Sequence, residues 1–308
     1  MEIKDIGFYC PNLFGSVDYF TPFLNSHTPQ ALTESDKPDQ AYRKGVYLSE
    51  VTVDDAKSLH FNLLRCSSNL HGPTENFSNT DREILQIAQA EAVKHYPDSA
   101  KLNHVLAQVY YNHVINNRDR RAKIPAHSDK TEDMPKNGLI VFGTFYDPEA
   151  LRSKKYHEVG GQLMYKNTSA LTSLKFVNKI TNEATIVPLH PNSALFIDLN
   201  TNKNYTHEIV PPNLASADVP TRLGYVIRCS CTPAVYKAGQ TFVLNSATQT
   251  LMPLLPTTDE KTKMLKELYV QENTDTTMPD YPFIDFSLNL GDYLAPRVDL
   301  ASGVNLQD

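Results

Sequence analysis

Between residues 138 and 231 the chain breaks into short runs rich in β-branched and aromatic residues, at 138–146, 162–166, 171–177, 185–189, 194–199 and 222–231. Polar turns with Asn, Gly, Pro or Thr separate them. Runs of this length and composition read as strands rather than helices. Many short strands spaced by tight turns fold as a jelly roll or barrel. The fold class expected is mainly β with flanking helices (α+β).

The flanking helices are legible upstream. A short strand over 6–10 leads through Pro11 and Gly15 to a helix expected over 16–25, with Ser16 as cap and Tyr19, Phe20, Phe23 and Leu24 at helical spacing. Residues 46–53 read as a strand. A second helix is expected over 81–96, where Ile84, Leu85, Ile87, Ala88, Ala92 and Val93 make one apolar face. Thr80 or Asp81 can cap it and Pro97 stops it. The apolar, aromatic stretch over 105–114 reads as one further strand. Beyond residue 235 the pattern weakens to a helix over 258–271 and otherwise coil. The expected division is therefore one domain over 1–235 and an extension over 236–308 packed on it.

Chemistry enters at His127-Ser128-Asp129. In extended chain, residues two apart point the same way, so His127 and Asp129 can reach one ion together. Two imidazoles and a carboxylate hold a divalent iron on one face and leave the other open. His207, beyond the 194–199 strand and a turn rich in Asn and Lys, is the preferred third ligand. His190 is the competitor, but Pro191 after it marks a turn. Arg222 and Arg228 lie six residues apart on one strand and so on one face. Two guanidiniums facing into a barrel call for anions, and a dicarboxylate fits them. A zinc hydrolase could use the same three ligands but leaves the paired arginines unexplained.

The order His-x-Asp, distal His, Arg-x5-Arg resembles the iron(II)/2-oxoglutarate-dependent dioxygenases, and among them the AlkB-like group. The opening Phe8-Tyr9-Cys10-Pro11-Asn12-Leu13-Phe14 is similar too, and the resemblance covers roughly residues 5–231. Asn112 stands at the Asn of the group's Asn-x-Tyr, and Val114 replaces the tyrosine. The resemblance implies a double-stranded β-helix (jelly roll, cupin-like). It implies Fe(II) at His127, Asp129 and His207, with 2-oxoglutarate and O2 as cosubstrates. Arg222 would anchor the distal carboxylate, Arg228 would lie near the metal-side carboxylate, and Asn112 would touch the cosubstrate.

The primary substrate is less constrained. The AlkB-like group includes nucleic-acid demethylases, and Arg118, Arg120, Arg121 and Lys123 just before the metal pair offer phosphate contacts. A net charge of −6 and a pI near 5.9 provide no overall field toward nucleic acid. A protein side chain or a small metabolite is the alternative substrate, and a non-catalytic binding protein with an incidental triad is the alternative class. Cys10, Cys66, Cys229 and Cys231 show no CxxC spacing and read as reduced thiols. The N-terminus has no apolar signal core, and no apolar run approaches the roughly 20 residues that span a bilayer. An intracellular protein, cytoplasmic or nuclear, is expected.

Overall fold

The computed structural model of the chain describes residues 1–32, 42–66, 70–115, 118–153 and 155–298, with backbone alone at 113–115 and 118–120. The elements that position the site follow in chain order. They begin with β1 (Gly7–Cys10), α1 (Phe20–Ser26), β2 (Arg43–Ser49), β3 (Leu59–Leu63) and α2 (Asn79–His95). Then come β4 (His104–Tyr110), β5 (Ile124–His127), β6 (Leu139–Tyr146), β7 (Ser173–Asn178), β8 (Ala184–Pro188) and β9 (Ser193–Asp198). The rest are α3 (Leu199–Asn204), β10 (Tyr205–Val210), β11 (Arg222–Arg228), β12 (Thr232–Lys237), β13 (Gln240–Asn245), β14 (Thr250–Pro253) and α4 (Asp259–Thr274).

Two antiparallel sheets form the barrel. The larger runs β1-β9-β6-β11-β4-β2, and the smaller runs β5-β10-β7-β8. Along the chain, β4 to β11 alternate between the sheets, with β7 and β8 together in the smaller one. This is the double-stranded β-helix expected from the sequence. Strand β6 shows why these strands read as continuous apolar runs. Its eight residues are all buried. Ile140 and Phe142 face the inter-sheet core with Leu174, Phe176 and Ile197. Leu139, Val141 and Phe145 face the opposite layer, which includes Phe23 of α1 and Ile84, Ala88 and Ala92 of α2. A strand covered on both faces loses the usual alternation.

Four local expectations need correction. Helix α1 begins at Phe20, not Ser16. Pro22 is tolerated only in a first turn, so the helix cannot start four residues earlier. Helix α2 is capped by Ser78, whose hydroxyl accepts from the Asp81 N–H while the Asp81 carboxylate accepts from the Ser78 N–H. The 105–114 run does not continue as one strand: β4 ends at Tyr110. The extension is not mainly coil before its helix. Strands β14-β13-β12 pair onto β3, and residue 235 lies inside β12. The β12–β13 turn is Ala238-Gly239, both at positive φ (49° and 79°), as a two-residue hairpin turn requires.

A buried ion network ties the helical layer together. His27, just past α1, donates Nδ1–H to Glu75 at 2.9 Å and Nε2–H to Asp81 at 2.7 Å, and Tyr225 also donates to Asp81 at 2.7 Å. Burial alone would push the imidazole down, but the two carboxylates raise it to about 9. The stabilisation is therefore full below the unfolded value of 6.5 and is lost as pH rises through about 9. Its size is about 3 kcal/mol at 1.36 kcal/mol per pKa unit. Urea unfolding from pH 6.5 to 10 should show this loss in the natural protein and not in His27→Gln. Parallel profiles for the two would remove His27 from the account.

Candidate metal centre

The smaller sheet brings the two histidines together. His127 ends β5 and lies directly across from His207 on β10, with ring centroids 4.5 Å apart. Asp129 follows two residues later, in the irregular segment after β5. Its Oδ1 lies 3.6 Å from His127 Nε2 and 3.7 Å from His207 Nε2. One ligand atom from each residue falls within 4.8 Å of the others. Metal–ligand bonds to N and O are about 2.0–2.2 Å, so a single ion can bridge the 3.6 and 3.7 Å separations between Asp129 and the histidines. The helix α3 lies between β9 and β10 where a simple turn was expected.

The protonation states suit a cation. His127 donates Nδ1–H to the Pro125 carbonyl at 2.9 Å, which leaves its Nε2 lone pair facing Asp129. Burial, and then the neighbouring His127, push His207 down to about 3, so it stays neutral with a free lone pair. Its Nδ1 is buried with no hydrogen-bond partner among the described residues. Burial would raise the Asp129 carboxyl, but the Arg228 guanidinium holds it well below the usual range. Arg228 places Nε at 2.9 Å and Nη2 at 2.6 Å on Asp129 Oδ2. The other oxygen, Oδ1, is thereby left to the histidines.

These groups line a cavity of 190 Å³ shared with Arg43, Cys66, Gln108, Tyr110, Lys130 and Phe142. An engineered cavity of about 150 Å³ suffices to bind benzene, so a small organic acid is within its range. Arg222 is not among the lining residues. Its guanidinium carbon lies 4.1 Å from the ring centroid of Tyr110, which is. Register explains the stack: Arg43, Tyr110, Arg222 and Tyr146 are successive cross-strand partners on β2, β4, β11 and β6. Gly224 opens room for the guanidinium, because a Cβ there would sit 3.0 Å from Arg222 Nη1. Arg222 Nε and Nη2, Arg228 Nη1 and the Thr144 hydroxyl are all buried with no partner among the described residues. Thr144 is the cross-strand partner of Gly224. Buried donors left unmatched are costly, so these groups call for an acceptor.

Asn112 takes no part in the cavity. It lies past the end of β4, and its Oδ1 accepts from the Ala122 N–H at 3.3 Å. Gln108 and Tyr110, two residues apart on β4, line the cavity instead, with the Tyr110 hydroxyl donating to Gln108 at 2.9 Å. The sequence signal was a Gln-x-Tyr pair at strand period inside a buried run. Arg43 and Lys130 were also missed, since nothing local marks them. His190 is engaged elsewhere, 2.6 Å from the Tyr9 hydroxyl through Nδ1. The side chains of Arg118 and Arg120 lie outside the described residues. Arg121 spends Nη1 on the Pro212 carbonyl at 3.0 Å, and Lys123 is exposed. All four cysteines are free.

No protein-family model matches the chain, and no curated protein is similar to it. Two solved structures are similar in fold. SnoN, a non-heme alpha-ketoglutarate-dependent epimerase from nogalamycin biosynthesis, is 12% identical with a TM-score of 0.44, over 77% of this chain and 83% of that one. OsALKBH1 is 10% identical with a TM-score of 0.43, over 74% of this chain and 100% of that one. Among the described residues, no helix is long and apolar enough to cross a membrane.

Proposed function

We propose that the chain is an Fe(II)/2-oxoglutarate-dependent oxygenase. It would couple oxidative decarboxylation of 2-oxoglutarate to hydroxylation, or oxidative demethylation, of a substrate C–H bond. The observation that carries this reading is the meeting of His127 Nε2, Asp129 Oδ1 and His207 Nε2 in one cavity lined also by Arg228, whose Nη1 is buried with no partner among the described residues. A ferrous ion held by these three groups would supply the binding position for cosubstrate and oxygen and the oxidising power for C–H cleavage. The chain's own residues do the rest. Pro125 fixes the His127 tautomer through its carbonyl. Arg228 keeps Asp129 ionised and turned toward the histidines. Arg222, with Thr144 two register positions away, is the anchor for the distal carboxylate of 2-oxoglutarate. Phe142 and Phe176 pack against the His207 ring and keep that side dry.

The test is succinate release from 2-oxoglutarate in the presence of Fe(II) and O2, screened against candidate substrates. Succinate formation that needs Fe(II) and disappears in His207→Ala supports the reading; none under any substrate, with the metal bound, overturns it. A nucleobase is the proposed substrate class, and a protein side chain or small metabolite is the alternative. Oligonucleotide binding that weakens with salt and is lost on replacing Arg120 and Arg121 assigns the first. Stimulation by a protein or metabolite with no such binding assigns the second.

A further inference from the structure

Residues 128–133, which carry Asp129, have no regular sheet partner, yet their backbone donors are satisfied in a particular way. The N–H groups of residues 128, 129 and 131 each donate to a side chain borne by a helix. The Ser128 N–H donates to Asn273 Oδ1 at 2.7 Å, and the Asp129 N–H to Asn202 Oδ1 at 2.8 Å. The Thr131 N–H donates to Glu272 Oε1 at 3.0 Å, and the Thr131 hydroxyl donates to the same oxygen. Asn202, in α3, also returns Nδ2–H to the Asp129 carbonyl at 2.9 Å. Tyr269 donates its hydroxyl to Glu132 at 2.8 Å. Tyr269, Glu272 and Asn273 are spaced i, i+3 and i+4, so they share one face of α4.

That face is itself held in place. Asn273 Nδ2 donates to the Tyr269 carbonyl at 2.9 Å, which orients its amide. Glu272 accepts from the Tyr281 hydroxyl at 2.5 Å. Lys179, just past β7, donates Nζ to the carbonyls of Glu272 and Asp275 at 2.6 and 3.0 Å, tying the end of α4 to the smaller sheet. At the far end of the segment, Arg65 forks onto Asp133 at 2.6 and 2.9 Å. It also reaches the carbonyls of Ile284 and Phe286, both at 2.9 Å.

We propose that the C-terminal helix α4 is the outer support of the metal centre: Tyr269, Glu272 and Asn273 are positioning residues that hold residues 128–132 so that Asp129 meets the two histidines. This rests on the metal-binding reading above. It assigns a role to a segment outside the barrel that no motif marks. Loss of an outer partner of a metal ligand typically costs 10–100-fold in metal affinity.

The experiment is a Co²⁺ titration of the full metal-free chain, followed by visible absorption, with urea unfolding in parallel. Glu272→Ala and Asn273→Ala are expected to bind Co²⁺ about 10–100-fold more weakly while still folded at the assay temperature. Glu272→Gln keeps an acceptor for Thr131 and should stay within about threefold of the natural protein. A purely structural role would lower the unfolding midpoint and leave the affinity of the folded protein unchanged. Natural affinity in both Asn273→Ala and Glu272→Ala therefore overturns the proposal while leaving the metal centre intact. Failure of the natural protein to bind Co²⁺, or equal binding by His207→Ala, overturns both. If Glu272→Ala does not fold, Asn273→Ala decides alone, because it removes only two hydrogen bonds.

Discussion

Asp129→Ala is expected to abolish Fe(II)-dependent succinate formation and to lower folding stability by about 3–5 kcal/mol. The two losses have different causes. Turnover would be lost because Oδ1 would be the only oxygen ligand of the three. Stability is lost because the Arg228 guanidinium, 3% exposed, remains buried after its carboxylate is gone. The pair's own net worth is small, since desolvation offsets much of the attraction; the cost lies in orphaning the cation. His127→Ala is the informative contrast. Its side chain is 33% exposed and its hydrogen bond is to a local carbonyl, so it should lose turnover with little change in urea midpoint. Equal destabilisation by the two variants would show that Arg228 does not depend on Asp129.

Arg222→Ala is expected to raise the 2-oxoglutarate requirement steeply with little change in kcat. Two charge-assisted hydrogen bonds to a carboxylate are together worth about 2–4 kcal/mol, or roughly 30- to 1000-fold in KM. An interaction with the distal carboxylate is made equally in ground and transition states, so it moves KM. The cosubstrate-free protein should tolerate the change, because Nε and Nη2 are already buried without partners. What it loses is the stack on Tyr110, worth about 1–2 kcal/mol. Gly224→Ala is the gentler probe. The new methyl would sit 3.0 Å from both Arg222 Nη1 and Tyr110 Cε2, displacing the guanidinium by a few tenths of an ångström. It should raise KM in the same direction by less. Unchanged saturation in Arg222→Ala would move the anchor to Arg228 or Arg43, which line the cavity directly.

The strand pattern was legible because period-two side chains and turn residues are local properties, and the register that makes a jelly roll follows from burying both faces. His127, Asp129, His207, Arg222 and Arg228 were legible as candidates because their chemistry is carried by residue type and spacing. Asn112 falls outside the cavity because strand ends are set by pairing, and β4 stops at Tyr110, opposite Arg43 and Arg222, where its antiparallel neighbours β2 and β11 begin. The β12–β13 hairpin was missed because Ala238 takes the left-handed position where Asn or Asp usually signals the turn.

Sequence alone determined the alternation of short strands, the ionisable residues available to the site and their order along the chain, since each depends only on neighbours within a few residues. Tertiary structure alone decided which groups meet. It put His207 across from His127, turned Arg228 onto Asp129, set Tyr110 over Arg222 and brought Asn202, Glu272 and Asn273 to the Asp129 segment. Those meetings span up to 145 residues of chain. They are selected by burial of the whole and by the pairing of most buried polar groups, which no local window contains.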